Sequence, residues 1–76
     1  MFLEVSQAKY LGDYKIGLVF NNGESKTVDL SDKLTGKVLE PLKDKTFFQT
    51  FTIKFYTIEW SNGADFAPEY LYEIGK

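Results

Sequence analysis

Apolar and polar residues alternate along much of this chain, and clusters of turn-forming residues interrupt the alternation. Between Tyr14 and Phe20, the residues Tyr14, Ile16, Leu18 and Phe20 share one face, with Lys15, Gly17 and Val19 on the other. A period of two is that of a half-buried strand. Asn21-Asn22-Gly23 follows, and Asn and Gly tolerate positive φ, so the triplet predicts a hairpin turn. Thr27-Val28-Asp29-Leu30 is then the return strand. A looser alternation from Phe2 to Tyr10 predicts a strand ahead of this hairpin.

The middle of the chain reads differently. Asp29 or Ser31 can cap a short helical turn through Lys33 or Leu34, with Gly36 as its stop. Lys37 to Leu42 reads as a tight connection turning Val38, Leu39 and Leu42 inward, and Asp44 as the cap of another short turn. Period two returns at Thr50–Phe55, where Phe51, Ile53 and Phe55 alternate with Thr52 and Lys54. Thr57-Ile58-Glu59-Trp60 predicts a further short strand, and Ser61-Asn62-Gly63 a second turn. From Asp65 onward, Pro68 near a helix start, Leu71 and Ile74 three apart, and Gly75 as a stop predict a short closing helix. The expected fold is therefore α+β: a small antiparallel sheet of about five strands with a short C-terminal helix, as a single domain over residues 1–76.

Composition narrows the chemistry available to such a fold. The chain has 76 residues and no Cys, no His and, since all nine basic residues are Lys, no Arg. It therefore lacks a thiolate, an imidazole proton shuttle, an ordinary zinc site and a bidentate phosphate fork. Nine Lys against eleven Asp and Glu give a net charge of −2, which disfavours a stand-alone nucleic-acid binder. No apolar run approaches the ~20 residues of a membrane span, so no membrane association is expected. The absence of Cys accords with the cytoplasm as the default compartment.

The segments Tyr14–Glu24, Val28-Asp29-Leu30, Pro41–Asp44, Ile58-Glu59-Trp60-Ser61-Asn62-Gly63-Ala64-Asp65-Phe66-Ala67-Pro68 and Leu71-Tyr72-Glu73 together resemble domain-of-unknown-function family 2442, a family of small bacterial domains. The likeness runs from about Tyr10 to Glu73, and Ile58–Asp65 with the following Pro68 and Leu71-Tyr72 is its specific part. The resemblance implies a small α+β domain without an assigned activity. Some members carry a helix-turn-helix after this domain, and this sequence stops at Lys76, so the resemblance raises no expectation of such a DNA reader. It also implies a second reading, as an accessory of a toxin–antitoxin-like or transcriptional regulatory pair contacting nucleic acid.

Among individual residues, Ile58–Asp65 is the densest constellation. Trp60 can act as an aromatic anchor with Asn62 and Asp65 presenting polar groups, or it can fill the core while Asn62-Gly63 makes a turn and Asp65 caps backbone N–H groups. Asp44, Glu59, Asp65 and Glu73 are the carboxylates that an acid/base pair or a cation site would draw on, but their spacing brings no two together. No catalytic residue, metal or cofactor is therefore expected. Phe55 and Tyr56 are adjacent, so in a strand one of them must point away from the core face. Exposed aromatics on a small domain mark an interface. The candidate interaction residues are Phe55, Tyr56, Trp60, Asn62 and Asp65, and the expected function is a non-enzymatic protein-interaction module, binding itself or a partner.

Overall fold

The computed structural model describes residues 2–76. Three strands, β1 (Val5–Gly12), β2 (Lys15–Phe20) and β3 (Ser25–Asp29), form an antiparallel sheet in the order β1-β2-β3. The second hairpin, β4 (Thr52–Lys54) and β5 (Thr57–Glu59), is a separate two-stranded sheet. Between the sheets lie a 3-10 turn at Glu40–Lys43 and a one-turn helix α1 (Lys45–Phe48), and the chain closes with α2 (Pro68–Ile74). Five antiparallel strands and a C-terminal helix make this an α+β fold.

The period-two pattern of β2 sets the core. Ile16, Leu18 and Phe20 point to one face and are fully buried, as are Val28 of β3 and Val5 of β1. Gly12 and Asp13 turn the chain between β1 and β2 at positive φ, and Asp13 shows that Asp takes the left-handed region where the turn requires it. In the Asn21-Asn22-Gly23 turn, Asn21 also fixes the chain ahead of β1. Its carboxamide oxygen accepts from the Glu4 amide at 3.0 Å, and its NH₂ donates to the Phe2 carbonyl at 2.8 Å. That clamp holds Phe2–Glu4 outside the sheet, which is why β1 begins at Val5 rather than Phe2.

The segment joining the two sheets is mostly irregular. Asp29 accepts from the Ser31 amide at 3.0 Å, giving a turn there instead of the expected helical piece. Leu34 and Leu42 are buried and Leu39 half-buried, whereas Val38 is exposed. Asp44 caps α1 as its spacing suggests, accepting from the Thr46 amide at 3.0 Å. The helix is only four residues long, yet it delivers Phe48 to the centre of the core.

Aromatic rings meet there, edge to face except for the tilted Phe48–Trp60 pair. Phe48, Phe51 and Phe66 surround Trp60 with centroid separations of 5.7, 6.1 and 6.1 Å, and Tyr10 and Tyr14 approach Phe48 from the sheet side. Such pairs each contribute roughly 0.5–1.5 kcal/mol beyond the area they bury. A chain this short without disulfides needs that density of packing.

Candidate functional site

The β4–β5 hairpin is joined by the two residues Phe55 and Tyr56, with Lys54 paired to Thr57 across the turn. Their φ values are 52° and 70°. Positive φ at both central positions is the type I′ arrangement, which suits hairpin twist and is ordinarily built from Asn-Gly. An L-residue in the left-handed region costs about 1–2 kcal/mol. Here two bulky aromatics occupy it, and both side chains face solvent, Phe55 at 79% and Tyr56 at 65% exposure. Among the described residues no other aromatic ring lies within stacking range of either, and the Lys54 ammonium sits 5.5 Å from the Phe55 centroid. The turn is anchored on its other side, where the Val5 amide donates to the Tyr56 carbonyl at 2.8 Å.

β4 itself is an edge strand, and Thr52, Ile53 and Lys54 are all exposed. The alternation that places Phe51, Ile53 and Phe55 on one face stops at Lys54, because the chain reverses at Phe55. Phe51 packs on Trp60, Ile53 lies at the rim opposite buried Ile58, and Phe55 leaves the strand altogether. Both aromatics are exposed because they form the turn, not because neighbours in a strand alternate.

The other candidate residues have structural contacts. Trp60 is 1% exposed, and its indole N–H donates to the Phe48 carbonyl at 2.7 Å, so it has no surface to offer a partner. Asn62 closes the turn by accepting from the Ala64 amide at 3.1 Å, and its NH₂ donates to the Val38 carbonyl at 2.9 Å. Asp65 is exposed and bridges Glu59 in an isolated antiparallel pair. It does not cap α2, whose N-cap is Ala67 with no side-chain bond and whose first turn carries Pro68 and Glu69. The structure thus brings two of the four singled-out carboxylates, Glu59 and Asp65, opposite each other, while Asp44 caps α1 and Glu73 lies on α2. Among the described residues no three carboxylates converge.

Shallow depressions lie elsewhere. One, of about 270 Å³, opens on the outer face of the first sheet over Gly17 beside Leu11 and Val19. Another, of about 550 Å³, runs along the β3 edge between Asp29 and Ile74. Neither contains a candidate interaction residue or any of the four singled-out carboxylates, whereas a third, of about 520 Å³, is lined by Lys37, Glu40, Pro41 and Asp44.

A family model described as a protein of unknown function, DUF2442, matches residues 5–76. The chain belongs to the DUF2442 family. The match spans both sheets, the aromatic core and α2, so the hairpin with its aromatic turn lies inside the DUF2442 domain. No curated protein and no solved structure matches the chain. Among the described residues of this DUF2442 protein, no helix is long and apolar enough to cross a membrane.

Proposed function

We propose that this DUF2442 protein is a non-enzymatic protein-interaction module whose contact surface is the tip of the β4–β5 hairpin. The observation that carries the reading is the Phe55–Tyr56 turn, in which two large apolar side chains are held at strained φ and left in water. Strain of this kind persists where surrounding structure enforces it, and it concentrates at functional segments. Aromatic side chains projecting from a fixed backbone lose little freedom on binding and make effective anchors. The nine Lys residues are dispersed along the chain, which supports a protein partner over a phosphate backbone.

The test replaces the turn by its stereochemically preferred pair, Phe55→Asn with Tyr56→Gly, in the full chain. Immobilised natural and substituted proteins are compared for retention of proteins from a native lysate and of the chain itself. Loss of the two anchor aromatics is expected to weaken retention at least thirtyfold, on the scale of about 2 kcal/mol for the pair together. Unchanged retention by a substituted protein with native circular dichroism overturns the reading.

A further inference from the structure

We propose that β4 is a self-pairing edge, joining two copies of this chain antiparallel about Ile53 into a four-stranded sheet. The proposal rests on the interaction reading above and names its partner as a second copy. In a two-residue hairpin the residues flanking the turn, here Lys54 and Thr57, exchange the ladder hydrogen bonds. By antiparallel alternation the Ile53 amide and carbonyl then point out of the sheet, away from β5. These are the groups that another strand would satisfy.

Self-pairing with the two-fold axis on Ile53 gives a consistent register. Ile53 meets its own copy, and Thr52 of each chain lies opposite Lys54 of the other. No like charges face each other. Glu59 lies beside Thr52 within each hairpin, so the new row reads Glu59, Thr52, Lys54, Thr57, with the Lys54 ammonium of one copy carried toward the Glu59 carboxylate of the other. The Ile53 side chains extend the apolar row that begins at buried Ile58, and the 42% of Ile53 now in water becomes covered. Phe55 and Tyr56 project from each end of the shared strand pair onto the other copy's rim.

The size of this contact sets its strength. Covering the exposed parts of Ile53, Phe55 and Tyr56 from both copies removes roughly 700 Å² of surface from water. That is below the ~1,200 Å² at which stable interfaces begin, so the dissociation constant is expected on the order of 100 μM. The three-residue length of β4 and the charge on Lys54 limit the edge to one partner and oppose open-ended addition.

An introduced cysteine tests the register, since the natural chain has no thiol. A hydrogen-bonded antiparallel pair has a Cα separation of about 5.5 Å, within disulfide range. Ile53→Cys is therefore expected to form a disulfide-linked dimer under oxidised glutathione at least tenfold faster than Val38→Cys, an exposed position outside both strands of the hairpin. In parallel, sedimentation equilibrium of the natural chain from about 10 μM to about 1 mM should show mass rising toward that of a dimer. Ile53→Lys, which sets two ammonium groups on the axis, should hold the mass at that of a monomer while circular dichroism stays native. A strict monomer at the highest concentration, or equal oxidation rates at positions 53 and 38, overturns self-pairing. If the asparagine–glycine turn variant still loses a different protein from lysate in that case, the interaction reading stands and only the second copy is excluded.

Discussion

Trp60 and Asn62 lie within three positions of each other and do different work, and only their surroundings separate them. Trp60 sits among three Phe rings with its one polar atom satisfied by the Phe48 carbonyl. Trp60→Phe keeps an aromatic there but removes that donor and leaves space beside Phe66. The expected loss is about 2–4 kcal/mol, read from urea denaturation followed by circular dichroism. Asn62 is solvent-exposed; its oxygen closes the turn on the Ala64 amide and its NH₂ ties that turn to the Val38 carbonyl. Asn-Gly announces a turn in any sequence, but nothing in the residue types says that the Asn62 NH₂ reaches a carbonyl 24 positions earlier. Asp29 shows the same limit and carries a pH signature. The Ser31 amide, then the Ser31 hydroxyl, hold its carboxyl below the ordinary value of 3.8, with Lys15 adding attraction. A depressed folded-state value contributes stability above the unfolded value, and that contribution disappears as pH falls through the folded one. Asp29→Ala should therefore melt below the natural protein near neutral pH, and the gap should narrow below about pH 4. A gap that is constant across this range removes the charge from the account.

At the scale of elements, the first hairpin was legible because its two signals agree. Alternation runs without a break from Tyr14 to Phe20, and Asn21-Asn22-Gly23 supplies the turn that alternation requires. The Asp44 cap and the Pro68–Gly75 helix bounds were legible for the same reason, since each is marked by a residue with a local job. The second hairpin was not legible in full. Its strands follow from Thr50–Phe55 and Thr57–Trp60, but Phe55-Tyr56 carries no turn chemistry, so alternation carried the first strand one residue too far, into the reversal at Phe55, and began it two residues ahead of β4. Tertiary context overrides local preference here, because the Tyr56 carbonyl is held by Val5 and Ile58 and Trp60 are fixed in the core. The same conflict makes a prediction about stability, separate from binding. Phe55→Asn with Tyr56→Gly removes two bulky residues from the left-handed region, partly offset by the greater freedom of Gly in the unfolded chain. A net gain of about 1 kcal/mol is expected, which raises the melting temperature by about 4–8 °C. A fall in melting temperature would show that the aromatics contribute to the fold and are not held against its preference.

Across the whole molecule, α2 ties the end of the described chain back to the first sheet. Thr27 and Lys76 exchange both backbone hydrogen bonds, at 3.1 and 3.0 Å, and so cover part of the β3 edge. Lys26 crosses beneath the helix, its ammonium 4.0 Å from the Tyr72 ring centroid and donating to the Tyr72 carbonyl at 3.0 Å. The Tyr72 hydroxyl bonds Glu24, and the ring packs edge to face on Phe20. Gly75 is the point where this strap lies tightest. Its φ is −70°, a value any residue adopts, so conformational freedom is not what Gly supplies there. What it supplies is clearance, because a Cβ at Gly75 would lie 2.8 Å from the Lys26 Cβ and 3.0 Å from the Leu71 carbonyl oxygen. Two effects of Gly75→Ala then oppose each other. Restricting the unfolded chain stabilises by about 0.4–1 kcal/mol, while forcing the strap away from β3 destabilises by about 1–3 kcal/mol. The clash prevails because the facing atom is a Cβ fixed to a strand rather than the free end of a side chain. The substituted protein should melt about 5–10 °C lower. Hydrogen exchange should quicken at the Thr27 and Lys76 amides, while Ile16 and Leu18 in the central strand keep the protection set by global unfolding. A higher melting temperature with unchanged exchange at Thr27 would mean that the strap has slack and that α2 is held by Leu71 in the core alone.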